Sequence, residues 1–359
     1  MSGQNLKQPS KGRGAISSPP SRYSAMTVES VDDGWVGDGA EPDKLRTEVF
    51  RDVSRSIITY NESPDVPFDR SINPFRGCEH ACAYCFARPT HAYLGLSPGL
   101  DFESKIFAKF AAAELLKKEL AKTSYRADVI ALGANTDPYQ PVERRLQLTR
   151  GILQVLHDCR HPVVIVTKSS LVERDIDLLM PMARRKLAQV AFSVTSLDAE
   201  LSRRLEPRAT APARRLRAIK TLSEAGIPVT VLFAPVIPAL NDSELEAVLA
   251  AVREAGAQAA GYVLLRLPLE VNGIFQEWLS VHAPLKARHI MSLVRQMREG
   301  KAYQAEFGTR MRGKGIFAQL IGKRFELACK RLALNQRRLD LDCSQFIPPR
   351  QAGSQQALF

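Results

Sequence analysis

An α/β fold built on parallel strands is predicted by three features of the sequence. Short β-branched runs alternate with longer amphipathic stretches, and stop and start residues separate the two. The chain, 359 residues of which 45% are hydrophobic, is also long enough for one large core.

Residues 1 to 45 open with "MSGQNLKQPSKGRGAISSPPSRYSAM", rich in Ser, Gly and Pro and poor in large apolar side chains. Such a stretch buries too little surface to offset ordering entropy, so it is predicted to be disordered. Six strands follow: "SINPFRG" (71–77), "DVIALGA" (128–134), "PVVIVTK" (162–168), "QVAFSVT" (189–195), "PVTVLFA" (228–234) and "YVLLRLP" (262–268). Between them, helical patterns occupy 103–122, 143–159, 171–185, 211–226 and 241–256. Gly226 and Gly256 mark two helix ends, and Asn241-Asp242-Ser243 marks an N-cap. A basic helix is expected over 315–340, within a basic region at 301–345, and residues 346–359 read as a flexible tail. Six parallel strands with right-handed crossovers form either a partial barrel or a doubly wound sheet. Both place working loops at the strands' C-terminal edge.

No basic-apolar leader and no run near the roughly 18 apolar residues of a membrane span is seen, so the expected location is the cytoplasm, away from membranes. Cys159, Cys329 and Cys343 are scattered, while Cys78, Cys82 and Cys85 are clustered as C-x3-C-x2-C after the first strand. That distribution suits metal ligation in a reducing compartment better than a disulfide framework. Zinc would take a fourth ligand such as His80 or His91, and a redox pair would not need Cys78. Three thiolates can also hold three irons of a [4Fe-4S] cluster, leaving the fourth for a small molecule.

The stretch Cys78-Glu79-His80-Ala81-Cys82-Ala83-Tyr84-Cys85 resembles the C-x3-C-x-aromatic-C motif of the radical SAM superfamily. The resemblance implies a partial (β/α)6, TIM-like barrel over residues 60–300 with a basic C-terminal helical extension. It also implies a [4Fe-4S] cluster on the three cysteines and S-adenosylmethionine (SAM) on the open iron, cleaved to a 5′-deoxyadenosyl radical by an electron from an external donor. By position, Tyr84 falls near the adenine, and Asn135 and Asp137 lie on the loop that meets the methionine amino group. Lys168 is placed to meet the carboxylate, and Ser193 and Thr195 the ribose or carboxylate. "CFARPTHAYLGLSPGLDFESKIFAK" (85–109), "NTDPYQPVE" (135–143) and "LEPRA" (205–209) further resemble the DNA-repair-photolyase-like branch, related to spore photoproduct lyase. Lysis and repair of damaged DNA are the activities that branch implies. The lyase returns hydrogen from a cysteine near the end of the second strand, where this sequence has Ala134 and Asn135.

A net charge of +12 points to a polyanion, here nucleic acid. Arg310, Arg312, Lys314, Lys323, Arg324, Lys330, Arg331, Arg337 and Arg338 are the expected phosphate contacts. A helix packing Phe325, Leu327 and Leu332 on the barrel is the alternative for that segment. Gln355 to Phe359 resembles the peptides by which repair proteins dock on a sliding clamp. Two other functions stay open from sequence: a radical SAM enzyme acting on protein, RNA or a small molecule, and a zinc-stabilised nucleic-acid-binding protein.

Overall fold

A computed structural model describes residues 10–24 and 45–349. Ten strands are present in the described residues: β1 (Glu48–Arg51), β2 (Ile58–Tyr60), β3 (Arg70–Ile72), β4 (Phe75–Arg76), β5 (Lys105–Ala108), β6 (Ile130–Leu132), β7 (Val163–Thr167), β8 (Ala188–Ser193), β9 (Val229–Val236) and β10 (Ala259–Leu264). Seven form one sheet in the order β10-β9-β8-β7-β6-β3-β2. From β3 to β10 every neighbour is parallel, and only the edge strand β2 runs antiparallel. The architecture is therefore the expected partial (β/α)6 barrel, open between β2 and β10. Parallel pairing requires a crossover each time, and helices Ala112–Leu120, Leu148–Asp158, Ile176–Arg184, Pro212–Glu224 and Leu245–Glu254 supply them. Their apolar stripes pack with the inner residues of β7, β8 and β9 into one core.

The first expected strand breaks at Asn73-Pro74. Phe75–Arg76 leaves the main sheet to pair with β5, which also pairs parallel with β1. The expected helix over 103–122 thus contains a strand. Its alternation decides this: Ile106 and Ala108 are buried, while Lys105 and Phe107 are half-buried, a period of two within sequence otherwise rich in helix formers. The last strand lies about one turn earlier than expected, at Ala259–Leu264, because Pro268 and the loop after it lead into helix Glu270–His282. That helix and Ala287–Gln296 were not anticipated. Asn241 precedes its helix without capping it: its side chain accepts from Ile237 N and donates to Thr195 O and Pro235 O.

The basic extension is helix Gly315–Arg331, with Ala318, Ile321, Phe325, Ala328 and Cys329 buried along one face. Phe325 meets Tyr262 of β10 at 4.8 Å, and Leu332 also packs on the core, whereas Leu327 is exposed, contrary to expectation. Before this helix, residues 306–312 bridge the open side of the barrel. Leu264 N donates to Met311 O (2.9 Å), and Arg310 and Gly308 N hold Asp65 in the loop after β2.

Disorder over 1–45 is corrected for residues 10–24, which lie against the cysteine loop. Gly14 N and Ala15 N donate to the buried Glu103 carboxylate at 3.1 and 2.8 Å. Gly14 has no substitute here, since a Cβ would stand 1.8 Å from Ala81 O. Residues 1–9 and 25–44 lie outside the described residues. So does Gln355 to Phe359, and with it the clamp-docking expectation. Phe346, expected in the flexible tail, packs edge-on against Tyr125 and His161.

Candidate active site

The cysteine loop leaves β4 and is fixed from several sides. Cys78 N donates to Phe102 O (2.9 Å), Ala83 N to Leu205 O (3.0 Å), and Glu79 N to Gln140 Oε1 (2.8 Å). Arg88, fully buried, donates Nε and Nη2 to Cys82 O at 2.9 and 2.8 Å and Nη1 to Gly99 O at 2.9 Å, and pairs with Glu103. A planar fork that satisfies several carbonyls at once suits this loop, whose backbone cannot reach a sheet. Arg208 pairs with Glu79 at 3.0 Å. "LEPRA" and the "CFARP…FES" flank therefore have a physical role in clamping the loop.

The loop opens on a cavity of about 270 Å³ at the C-terminal ends of the strands, lined by Cys78, Cys82 and Cys85 together with Tyr84, Asn135, Asp137, Lys168 and Ser193. Its remaining wall is largely apolar, including Val66, Phe68, Val166, Leu232 and Val263. Burial, with Asp137 and then Cys82 nearby, pushes the Cys78 thiol well up. Burial and Glu206 push Cys82 up to about 12. These sulfurs become thiolates by exchanging protons for a metal centre. Among the described residues no three Cys, His, Asp or Glu side chains converge closely enough to hold one metal ion. Three thiols spread around one cavity fit a donor set for a group wider than a single ion, such as an iron-sulfur cubane. His91 is no ligand here: its Nε2 lies 3.0 Å from Lys105 O, it packs edge-on to Phe102, and burial lowers it to about 4.

Lys168, at the end of β7, has no side-chain hydrogen bond or ion pair among the described residues. Burial opposes its charge, but Cys82 and Glu206 more than offset this, and the ammonium stays charged. Asp137 is a brace. Its Oδ1 accepts from Thr167 Oγ1 and Tyr139 N (both 2.8 Å), its Oδ2 accepts from Lys168 N (2.7 Å), and His80 Nδ1 lies 3.3 Å from Oδ2. Asn135 is held through its backbone by Asn73 (2.9 Å). Gly133, at φ +92°, makes this turn possible, since a Cβ would stand 2.6 Å from Val166 O.

Thr195, expected to face the cofactor, is not among the cavity-lining residues. Its hydroxyl donates to Glu206 Oε1 (2.6 Å), which also accepts from the Tyr84 hydroxyl. Arg215, 1% exposed, pairs with Glu206 Oε2 and donates to Ser193 O (3.0 Å). Burial works against the Glu206 charge, but Arg215 and Lys168 hold its carboxyl down to about 2. Sequence reasoning missed Glu206, Arg215, Arg88 and Glu103. The only signal for Arg88, Glu103 and Glu206 was their presence in motifs read by resemblance alone, and Arg215 lay unmarked in the helical pattern 211–226.

Cys159, Cys329 and Cys343 do not line the cavity. Much of the expected phosphate-binding set is paired internally. Arg310 pairs with Asp65, Lys314 with Glu299 (2.9 Å), Arg324 with Glu246 (2.6 Å) and Arg338 with Asp340 (3.3 Å), and Arg312 lies over the Tyr262 ring at 4.0 Å. No helix of the described residues is long and apolar enough to cross a membrane.

The Radical SAM superfamily model matches residues 72–252, from the end of β3 through the helix after β9. An uncharacterized protein of Mycobacterium tuberculosis is 37% identical over 272 residues, covering 71% of this chain and 80% of the relative. An uncharacterized protein of Methanocaldococcus jannaschii is 31% identical over 199 residues, 55% of this chain and 71% of the relative. Among solved structures, spore photoproduct lyase complexed with dinucleoside spore photoproduct superposes with a TM-score of 0.57 at 13% identity, covering 79% of each chain, a likeness of fold. A chain of this fold, with its cysteine loop inside the matched segment, belongs to the radical SAM superfamily, whose cofactors are a [4Fe-4S] cluster and SAM.

Proposed function

We propose that Cys78, Cys82 and Cys85 ligate the cluster, that Lys168 receives the SAM carboxylate, and that the enzyme repairs or modifies nucleic acid. The observation that carries the site is the meeting of three thiols and an unpaired ammonium in one cavity. When bound, the cofactors supply one-electron reductive cleavage of SAM and a carbon radical that takes hydrogen from a substrate. The chain's own part is positional. Lys168 offers a charge-assisted hydrogen bond, Asn135, Asp137 and Ser193 border the same space, and Tyr84 is held through its hydroxyl so that its ring keeps one place in the wall. The apolar remainder of the wall keeps water from a radical.

The nucleic-acid substrate is supported by the fold shared with spore photoproduct lyase, a protein solved with a dinucleoside photoproduct, and by the net charge of +12. Hydrogen return by a second-strand thiol is not part of this reading, because Ala134 and Asn135 stand at that end of the cavity. Incubation of the reduced enzyme and SAM with perdeuterated damaged and intact oligonucleotides tests it. Deuterium in 5′-deoxyadenosine is the expected result. Cleavage of SAM without deuterium transfer from any DNA or RNA would move the substrate to protein or a small molecule.

Lys168→Met is expected to weaken SAM binding by roughly 10- to 100-fold, the equivalent of one charge-assisted hydrogen bond, with iron content unchanged. Equilibrium dialysis with labelled SAM reads the first quantity and iron analysis the second. Unchanged affinity would remove Lys168 from the site.

A further inference from the structure

The radical chemistry needs one electron from outside, and among the described residues the other three cysteines lie apart from the cavity. Electron transfer weakens steeply with distance, so a donor must dock where little protein covers the cluster. A larger hollow, about 560 Å³, meets this condition. It opens among the loops that follow β6, β7 and β8, and its wall includes Arg144, Arg174, Arg208 and Arg214, with Glu173 as the acidic member. His80 lines both this hollow and the cysteine cavity and is 2% exposed. This buried imidazole is therefore a wall that the two spaces share.

Two of the arginines are fixed from behind. Arg174 is tied to Glu143 and Asp175, and Arg208 to Glu79, all three carboxylates buried, so guanidinium groups are what the hollow presents. Arg214 pairs with Glu173, and Arg144 is exposed with no acidic partner among the described residues. With the carboxylates behind the wall and guanidinium groups in front, Arg144 carrying no internal counter-charge among the described residues, the face of the hollow suits an acidic occupant. A nucleic-acid substrate seated there would have His80 between it and the reacting centre. An electron can cross that barrier, whereas a hydrogen atom to be abstracted cannot come within reach.

We propose that this hollow docks the electron donor, a small acidic one-electron carrier protein of the flavin or iron-sulfur class, with His80 between carrier and cluster. In the step, the reduced carrier loses one electron and the cluster accepts it; no bond forms or breaks. The proposal rests on the cluster assignment to Cys78, Cys82 and Cys85.

The test uses the full chain with its cluster reconstituted, the double variant Arg144→Glu/Arg214→Glu, and the milder Arg144→Gln/Arg214→Gln in case charge reversal impairs folding. An acidic flavodoxin is the probe. Its binding is measured by calorimetry at low and high salt, and the rate of cluster reduction by reduced flavodoxin is compared with that by dithionite. Expected are salt-sensitive binding to the unaltered protein, a loss of about tenfold or more in affinity on charge reversal, slower reduction by flavodoxin, and unchanged reduction by dithionite. Equal flavodoxin affinity and rate in the variants would overturn the proposal. So would loss of oligonucleotide binding with flavodoxin binding intact, which would make the hollow a nucleic-acid contact. Failure to assemble a dithionite-reducible cluster in the unaltered chain would instead count against the cluster assignment.

Discussion

Replacing Cys78, Cys82 and Cys85 together with Ala is expected to give a folded, colourless protein that forms no 5′-deoxyadenosine. The fold should survive because the loop is clamped through its backbone and not its sulfurs. Arg88 on Cys82 O, Gln140 on Glu79 N and Leu205 O on Ala83 N are all independent of the thiols. The chemistry should vanish because no other cysteine lines the cavity and His91 is turned to Lys105 O. Each single Ala variant is expected to lose most iron as well, since a cubane held at two corners is readily stripped. Iron and sulfide analysis, low-temperature EPR of the reduced protein with and without SAM, and product chromatography decide it. A cluster signal that shifts with SAM in the unaltered protein and is absent from the variant is the expected pair of results. Iron retained with SAM cleavage in the triple variant would sink the assignment, and one bound zinc in the unaltered protein would return the loop to a structural role.

What could be read in advance divides along a physical line. "VVIVT" and "VTVLFA" announce themselves because buried parallel strands need continuous β-branched or apolar residues. The thiol spacing is also local, so the cluster loop was legible. "KIFA" was not, because four residues beside a strong helical pattern are outweighed in any window that includes them. The charged core was invisible for a different reason. Arg88, Glu103, Glu206 and Arg215 are fully or almost fully buried, yet charged residues in amphipathic sequence are read as solvent-facing. Their partners lie 15 and 9 residues apart, brought together only by the loop's folding. The reverse error struck the C-terminal extension, where Arg310, Lys314 and Arg324 looked available for phosphate and are instead matched by Asp65, Glu299 and Glu246. Charge counted along a sequence does not reveal which charges a fold pairs.

Glu206→Gln is expected to lower the unfolding free energy by about 3–5 kcal/mol, the usual cost of breaking a buried ion pair from one side. The substitution keeps the shape and a hydrogen-bond acceptor for Tyr84 or Thr195. It removes the only carboxylate that Arg215 pairs with among the described residues, and Arg215 is 1% exposed. Arg215→Met in the same background should recover part of the loss, because the uncompensated cation is then gone. The double variant would therefore be less destabilised than the sum of the two single changes. Acid should act in the same direction. The folded carboxyl is held at about 2, below its ordinary unfolded value near 4.3, so its contribution is complete above the unfolded value and disappears as pH falls through the folded one. Denaturant titrations from pH 7 down toward 3 should show a stability loss in the unaltered protein on the order of 2 kcal/mol from this group, and a shallower slope in the Gln variant. Equal slopes would mean that Glu206 is not held as a buried anion. Because Glu206, after Cys82, helps offset the burial of the Lys168 ammonium, the Gln variant should also bind SAM more weakly at pH 7 even where the fold persists.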